Sequence, residues 1–177
     1  MISLLYICQN LKLMNKIFIV VFSVILLFSS CSKKNDICIY DSCAVAAPAS
    51  EVSQVESYLA TASITATKHC SGVYYVIDAP GSGGSPSICS TISVKYKAQL
   101  TNGNIFDEAT TPVSFQLGGL IESWKIAIPL IQSGGKIRIY APPTLAYGNQ
   151  DVKDGSGNVV VPANSILIFE VELTAVF

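Results

Sequence analysis

The sequence predicts an α+β fold in which an antiparallel β-sheet curls around one short α-helix. Ile92, Val94, Tyr96, Ala98 and Leu100 alternate with Ser93, Lys95, Lys97, Gln99 and Thr101, and that period of two marks a strand with one buried face. The period returns where Ile137, Ile139 and Ala141 alternate with Lys136, Arg138 and Tyr140. It returns again where Leu167, Phe169, Val171, Leu173 and Ala175 alternate with Ile168, Glu170, Glu172 and Thr174. Strands with one apolar face form an antiparallel sheet that something must cover. After residue 90 the only cover is "IESWKIAIPLI", where Trp124, Ile128 and Ile131 share a helical face. Pro129 lacks the N–H its turn requires and should end or bend that helix.

The chain ahead of these elements reads in order as leader, tether and helix. At 177 residues it has the length of one domain, and Lys and Arg number 11 against 12 Asp and Glu. No basic patch is present, so a nucleic-acid partner is not expected. Half of the residues are hydrophobic and 13% are charged, but the apolar bias is local. Ile17 to Phe28 is apolar apart from Ser23. As a helix it reaches roughly 18 Å, short of the roughly 30 Å hydrocarbon core. With Lys16 before it and Ser29 and Ser30 after it, residues 1–30 read as a secretory signal whose true start could be Met14. "LLFSSC" resembles the lipobox of bacterial lipoproteins, which implies that Cys31 is lipidated and becomes the mature N-terminus, with Phe28 where a smaller aliphatic is commoner.

Export gives Cys38, Cys43, Cys70 and Cys89 an oxidising setting, and these four allow three pairings. Sequence proximity favours Cys70 with Cys89 and Cys38 with Cys43. A metal site is not expected, because Cys38 and Cys43 are spaced C-x4-C and His69 is the only histidine. His69 itself reads as a solvated residue ahead of a strand. Residues 31–48 are short on large aliphatics and have no period, which suggests a lipidated tether. Within 49–71 a short amphipathic helix is expected from Ser50 to about Ala62. Ser50 would be its cap, Glu51 lies at its positive end, and Val52, Val55, Tyr58, Leu59 and Ala62 share one face. "GVYYVI" at 72–77 starts the strands of a domain expected over 72–177. The following "DAPGSGGSP" is a turn and not a phosphate cradle, since no GK[ST] and no helix follow.

Four stretches then stand in the order and spacing of the FKBP-type peptidyl-prolyl isomerases: "SVKYKAQLTNGNIFDEA", "VSFQLGGLIESWKIAI", "GGKIRIYAPPTLAYGN" and "VPANSILIFEVEL". The chain resembles that family from about residue 72 to 177. The resemblance implies an FKBP-like fold and an isomerase that rotates the bond before proline with no cofactor and no metal. It implies that Tyr96, Phe106, Asp107, Ile121 and Tyr147 are catalytic, and that Phe115, Leu120, Trp124, Val161 and Phe169 bind substrate. Trp124 would be the floor under the proline ring. The Ile121 N–H and the Tyr147 hydroxyl would hold carbonyls, and Asp107 would stand at the rim. Read without the resemblance, Phe115, Leu120 and Phe169 fit any core and Trp124 fits either role. Asp107 and Tyr147 have no packing reason to be where they are. Ala98 and Ser123 stand where the family usually has Gly, and the segment between Tyr147 and Val161 is longer than in small members.

The expected protein is a monomeric, membrane-anchored isomerase of the bacterial cell envelope that acts on proline-containing unfolded or nascent exported polypeptides. The alternative is a holdase that keeps the pocket and catalyses little, and a third reading is a purely structural lipoprotein. A lipidated Cys31 makes a direct prediction, because two acyl chains anchor a protein stably where one does not. Intact mass should show acyl groups on Cys31, and Cys31→Ala should release the protein from membranes; a variant processed at the same place and still membrane-bound refutes the anchor.

Overall fold

The computed structural model describes residues 38–177, so the expected signal and the lipidated Cys31 lie outside the described residues. Six strands form one antiparallel sheet: β1 (Thr67–Lys68), β2 (Tyr74–Ala79), β3 (Thr91–Leu100), β4 (Ile105–Gln116), β5 (Lys136–Ala141) and β8 (Leu167–Val176). Their order across the sheet is β1-β2-β5-β8-β3-β4. A second, two-stranded piece joins β6 (Val152–Lys153) to β7 (Val159–Val161).

Under the concave face lies α2 (Glu122–Ala127), which passes into a 3-10 turn at Ile128–Leu130. Pro129 ends the α-helix there, as its missing N–H dictates. Trp124, Ile126 and Ile128 from this segment join Ile92, Val94, Ile137, Ile139, Leu167, Phe169, Val171 and Leu173 in one core. The alternation expected for β3, β5 and β8 places these strand residues on the buried side.

Three departures from the sequence expectation have plain physical causes. Tyr140 and Ile168, expected on the solvent side, are buried, because the row Tyr74–Tyr140–Ile168 runs across three strands of the outer face and α1 (Ala49–Thr61) lies over it. Val52, Val55 and Leu59 of α1 complete this second core, each contributing on the order of 1.5–3 kcal/mol by burial. Ser50 is not the cap of α1. Pro48 holds that position, and its carbonyl accepts from the N–H groups of Glu51 and Val52. Ala62 is exposed past the helix end, while Glu51 reaches away to accept from the backbone N–H and hydroxyl of Thr144. Finally, β4 was not legible as a strand. It is an edge strand paired on one side only, so most of its residues are exposed and Pro112 is tolerated within it.

The expected disulfide pairing is wrong. Cys38 pairs with Cys89 and Cys43 with Cys70, not Cys70 with Cys89 or Cys38 with Cys43. Proximity in sequence misleads because the 38–47 segment runs along the domain. Ala47 donates to the Ser71 carbonyl, which brings Cys43 to the turn bearing Cys70. Residues 38–48 are therefore not a free tether, and residues 38–177 form one compact unit. His69 is half-buried rather than solvated: Nδ1 lies 3.0 Å from Ser71 Oγ and Nε2 3.4 Å from Ser42 Oγ. Burial lowers its pKa.

The glycine-rich loop is a turn, as expected. It docks on residues 132–135 through Gln132 N–H to the Pro80 carbonyl and Gly83 N–H to the Ser133 carbonyl. Gly81, at φ +76°, would drive a Cβ into the Gln132 backbone. No helix among the described residues is long and apolar enough to cross a membrane.

The pairing can be checked directly. Peptide mapping without reduction should recover Cys38–Cys89 and Cys43–Cys70. Because the first bridge spans 51 residues, its removal in Cys38→Ser/Cys89→Ser should cost about 4 kcal/mol of stability. Recovery of a Cys70–Cys89 peptide contradicts this fold.

Candidate functional site

Register across β4, β3, β8 and β5 builds one wall of a cavity. Asp107 lies opposite Ala98, Ala98 opposite Phe169, and Phe169 opposite Ile139. Residues opposite one another in a sheet share a face. The small Ala98 therefore leaves open space between Asp107 and Phe169. From the other side α2 raises Trp124, and the loop leading into α2 adds Leu120 and Ile121. The 3-10 turn Leu117–Gly119 precedes these two, and both have extended backbones. Tyr147 follows the 3-10 turn Pro143–Leu145. The result is a cavity of about 170 Å³ lined by Tyr96, Ala98, Phe106, Asp107, Phe115, Leu120, Ile121, Trp124, Tyr147 and Phe169. A dry apolar cavity of about 150 Å³ is large enough to take up benzene, so this one has room for a small ring.

Three aromatic rings stand perpendicular to the indole. Trp124 meets Tyr96 at 5.4 Å and 82°, Phe169 at 5.7 Å and 90°, and Phe115 at 6.3 Å and 87°, all edge-to-face. Phe106 stands edge-on to Phe169 at 6.4 Å. Such pairs contribute about 0.5–1.5 kcal/mol each beyond the area they bury, and together they hold the indole in one orientation. Trp124 is 5% exposed, and among the described residues its Nε1 has no partner, nor does the hydroxyl of the buried Ser123 beside it.

Polar groups are confined to the rim. The Tyr96 hydroxyl donates to Asp107 Oδ2 at 2.7 Å. Burial, and next the bond to Asp107, push the Tyr96 phenol well above the usual tyrosine range. Burial likewise raises Tyr147, with a smaller contribution from the Asp107 charge. Tyr147 is still 40% exposed at the cavity mouth. The Ile121 N–H donates to no acceptor among the described residues, while the Ile121 carbonyl accepts from Trp124 and Lys125.

Nine of the ten pocket residues expected from sequence line this cavity, and Val161 does not. Val161 is 1% exposed and belongs to the core, because β7 turns its side chain into the domain. Ala98 takes the place among the lining residues that the sequence reading left out. Its signal was visible only as a small residue in an otherwise bulky face. The long segment after Tyr147 folds as a hairpin of β6 and β7. Asp154 accepts from the N–H groups of Ser156 and Asn158 at its turn, and none of residues 149–160 lines the cavity.

Two other places among the described residues bring polar groups together. An open groove of about 380 Å³ on the outer face is lined by charged residues, which neutralise each other in the pairs Lys97–Glu170, Lys136–Glu172 and Arg138–Asp78. The donor atoms of Cys43, His69 and Cys70 lie within 4.8 Å of one another, but the two sulfurs are bonded together and leave a single imidazole.

Comparison with known proteins places this geometry. Residues 83–174 match the domain described as FKBP-type peptidyl-prolyl cis-trans isomerase. The FKBP-type peptidyl-prolyl cis-trans isomerase FkpA of Escherichia coli K12 is 41% identical over 104 residues, covering 57% of this chain and 36% of that protein. A probable FKBP-type peptidyl-prolyl cis-trans isomerase of Haemophilus influenzae is 40% identical over 106 residues, covering 58% and 42% respectively. The match thus spans well under half the length of these relatives. Among solved structures, FkpA from Escherichia coli superposes with a TM-score of 0.61 at 32% identity, covering 72% of this chain and 60% of that one. A peptidyl-prolyl cis-trans isomerase from Pseudomonas syringae gives 0.62 at 28% identity, covering 73% and 96%. With aromatic rings packed perpendicular to one tryptophan on this sheet, and the domain matched over 83–174, the chain belongs to the FKBP-type peptidyl-prolyl cis-trans isomerase family.

Proposed function

We propose that the protein is a peptidyl-prolyl cis-trans isomerase acting on proline-containing segments of unfolded or nascent exported polypeptides. The observation that carries this reading is the cavity itself, apolar and aromatic at its base with polar groups only at its rim. A planar amide owes its rotation barrier of about 18–20 kcal/mol to charge-separated resonance, which the twisted amide lacks. A water-poor pocket therefore disfavours the planar form relative to the twisted one, and binding is strongest where the barrier lies. A ten-thousand-fold acceleration corresponds to only about 5.5 kcal/mol. Ring burial and one oriented hydrogen bond, from the Tyr147 hydroxyl, can supply that without moving a proton.

In this reading Trp124 lies under the proline ring, and Phe115, Leu120 and Phe169 form its walls. The Ile121 N–H and the Tyr147 hydroxyl hold substrate carbonyls. Phe106 and Asp107 stand beside the rotating bond, with Tyr96 fixing the Asp107 carboxylate. Val161 supports the pocket from the core behind it. Export, the acyl anchor on Cys31 and the place in the cell envelope belong to the same proposal, with residues 31–37 as the spacer, since the chain from Cys38 onward is bound to the domain.

The test is cis/trans exchange of short X-Pro peptides by the full chain in mild detergent. Turnover above the uncatalysed rate is expected. Tyr147→Phe and Asp107→Val should lower kcat/KM several-fold, the scale of one hydrogen bond of about 1 kcal/mol, while a proline ligand still shifts Trp124 fluorescence. Trp124→Leu should weaken binding itself, and Lys153→Ala should change neither. Wild-type protein that binds the ligand but leaves exchange at the uncatalysed rate is a holdase, and the isomerase reading fails.

A pH profile supplies a second check. Both phenols are raised above the ordinary tyrosine value of about 10, so their O–H groups persist as the solution becomes basic. Turnover should stay level from about pH 7 to about pH 9. A fall in that window means that another group titrates in the step.

A further inference from the structure

The segment ahead of α1 grips both ends of the loop that carries the pocket's backbone donor. At one end Cys38 is bonded to Cys89. The Cys89 carbonyl accepts from Gln116 Nε2 at 2.7 Å, and the neighbouring Ser90 carbonyl accepts from the Leu117 N–H at 3.0 Å. At the other end the Tyr40 hydroxyl donates to Glu122 Oε2 at 2.6 Å across 82 residues of sequence. Between these two anchors run Leu117 to Ile121, and then α2 begins.

The first turn of α2 needs such a hold. The helix has six residues, and Ile121 at its N-cap offers no side-chain cap. Short uncapped helices fray from the end whose N–H groups are unpaired. Glu122, the first helical residue, is fixed by Tyr40 on one carboxylate oxygen and by Lys125 on the other. Burial opposes the charge on Glu122, yet the bonds from Lys125 and Tyr40 outweigh it and its pKa is lowered. Tyr40 is itself held firmly, since its ring packs on the main core and it stands between Cys38 and Cys43, each in its own disulfide.

We propose that Tyr40 is a positioning residue for the isomerase site: by holding Glu122 it fixes the Leu120–Ile121 peptide, whose N–H takes the substrate carbonyl. This rests on the isomerase reading above and assigns a role to a segment outside the matched domain. Because that N–H holds the carbonyl in the planar and the twisted amide alike, its loss acts on KM and leaves kcat almost unchanged.

The experiment measures kcat, KM and Tm for the full chain and four variants on one X-Pro peptide series. Tyr40→Phe keeps the ring and both disulfides and should raise KM about fivefold, the loss of one hydrogen bond, with kcat within about twofold. Glu122→Ala should raise KM by the same factor, and Tyr40→Phe/Glu122→Ala should raise it no further, as for two partners in one bond. Glu122→Gln keeps an oxygen that can accept from Tyr40 while giving up the charge opposite Lys125, and should stay within about twofold of wild type. If Tyr40→Phe and Glu122→Ala lower Tm but leave KM at the wild-type value, the contact is packing alone and the positioning role is overturned. Wild-type protein that turns over while these variants match it overturns this proposal only. Wild-type protein without turnover overturns the isomerase reading and this proposal with it.

Discussion

The perpendicular packing of Tyr96, Phe115 and Phe169 against the Trp124 indole is the contact on which the cavity depends. Those three rings come from β3, β4 and β8, so a single side chain on a six-residue helix ties together three strands of the sheet. Edge-to-face contacts turn the positive rim of one ring toward the negative face of another, which fixes the plane of the indole as well as its depth. A floor that could tilt would not hold a ring against a twisting bond. The three rings reach one indole because β4 and β8 are the two neighbours of β3 in the sheet.

The opposite face of the same sheet solves a different problem. Over most of it, cross-strand charge pairs such as Lys97 with Glu170 and Lys136 with Glu172 keep the surface wet and balanced. At one end Tyr74, Tyr140 and Ile168 are apolar, and α1 covers them. The helix is held there by polar ties as well as by Val52, Val55 and Leu59: Glu51 accepts from Thr144, and Glu56 accepts from Tyr74. The two disulfides then bind the chain ahead of α1 to the rim of the domain, which offsets the small size of the second core by restricting the unfolded chain.

The proposed isomerase chemistry fits the residues that the pocket holds. Rotation about an amide transfers no proton and makes no bond, so no nucleophile, paired carboxylate or metal has to be placed. What must be placed is apolar surface with a few rigid dipoles at its edge. The one carboxylate at the pocket, Asp107, is engaged by Tyr96 rather than by a base or a cation. The geometry is therefore built from packing, and its accuracy depends on how firmly the loop from Leu117 to Ile121 is held at both ends.

Much of this was readable from the sequence because it is local. Alternation over five or more residues sets which face of β3, β5 and β8 is buried, and a proline after a short helical run sets where α2 stops. Each follows from backbone geometry within one element. The pocket residues were legible through family motifs whose spacing reflects strand register. What the tertiary structure alone decided involves partners far apart in the chain. The pairing of Cys38 with Cys89, across 51 residues, depends on where the N-terminal segment crosses the domain. The exchange of Val161 for Ala98 at the cavity depends on how two separate sheets pack, since β7 turns Val161 into the core while β3 presents Ala98 to the gap. Burial of Tyr140 and Ile168 depends on a helix that docks from outside the repeating pattern, and β4 escapes notice because an edge strand needs only one neighbour and little apolar surface. Sequence periodicity records how a residue sits within its own element, whereas these features record which elements meet, and that is settled only when the whole chain has packed.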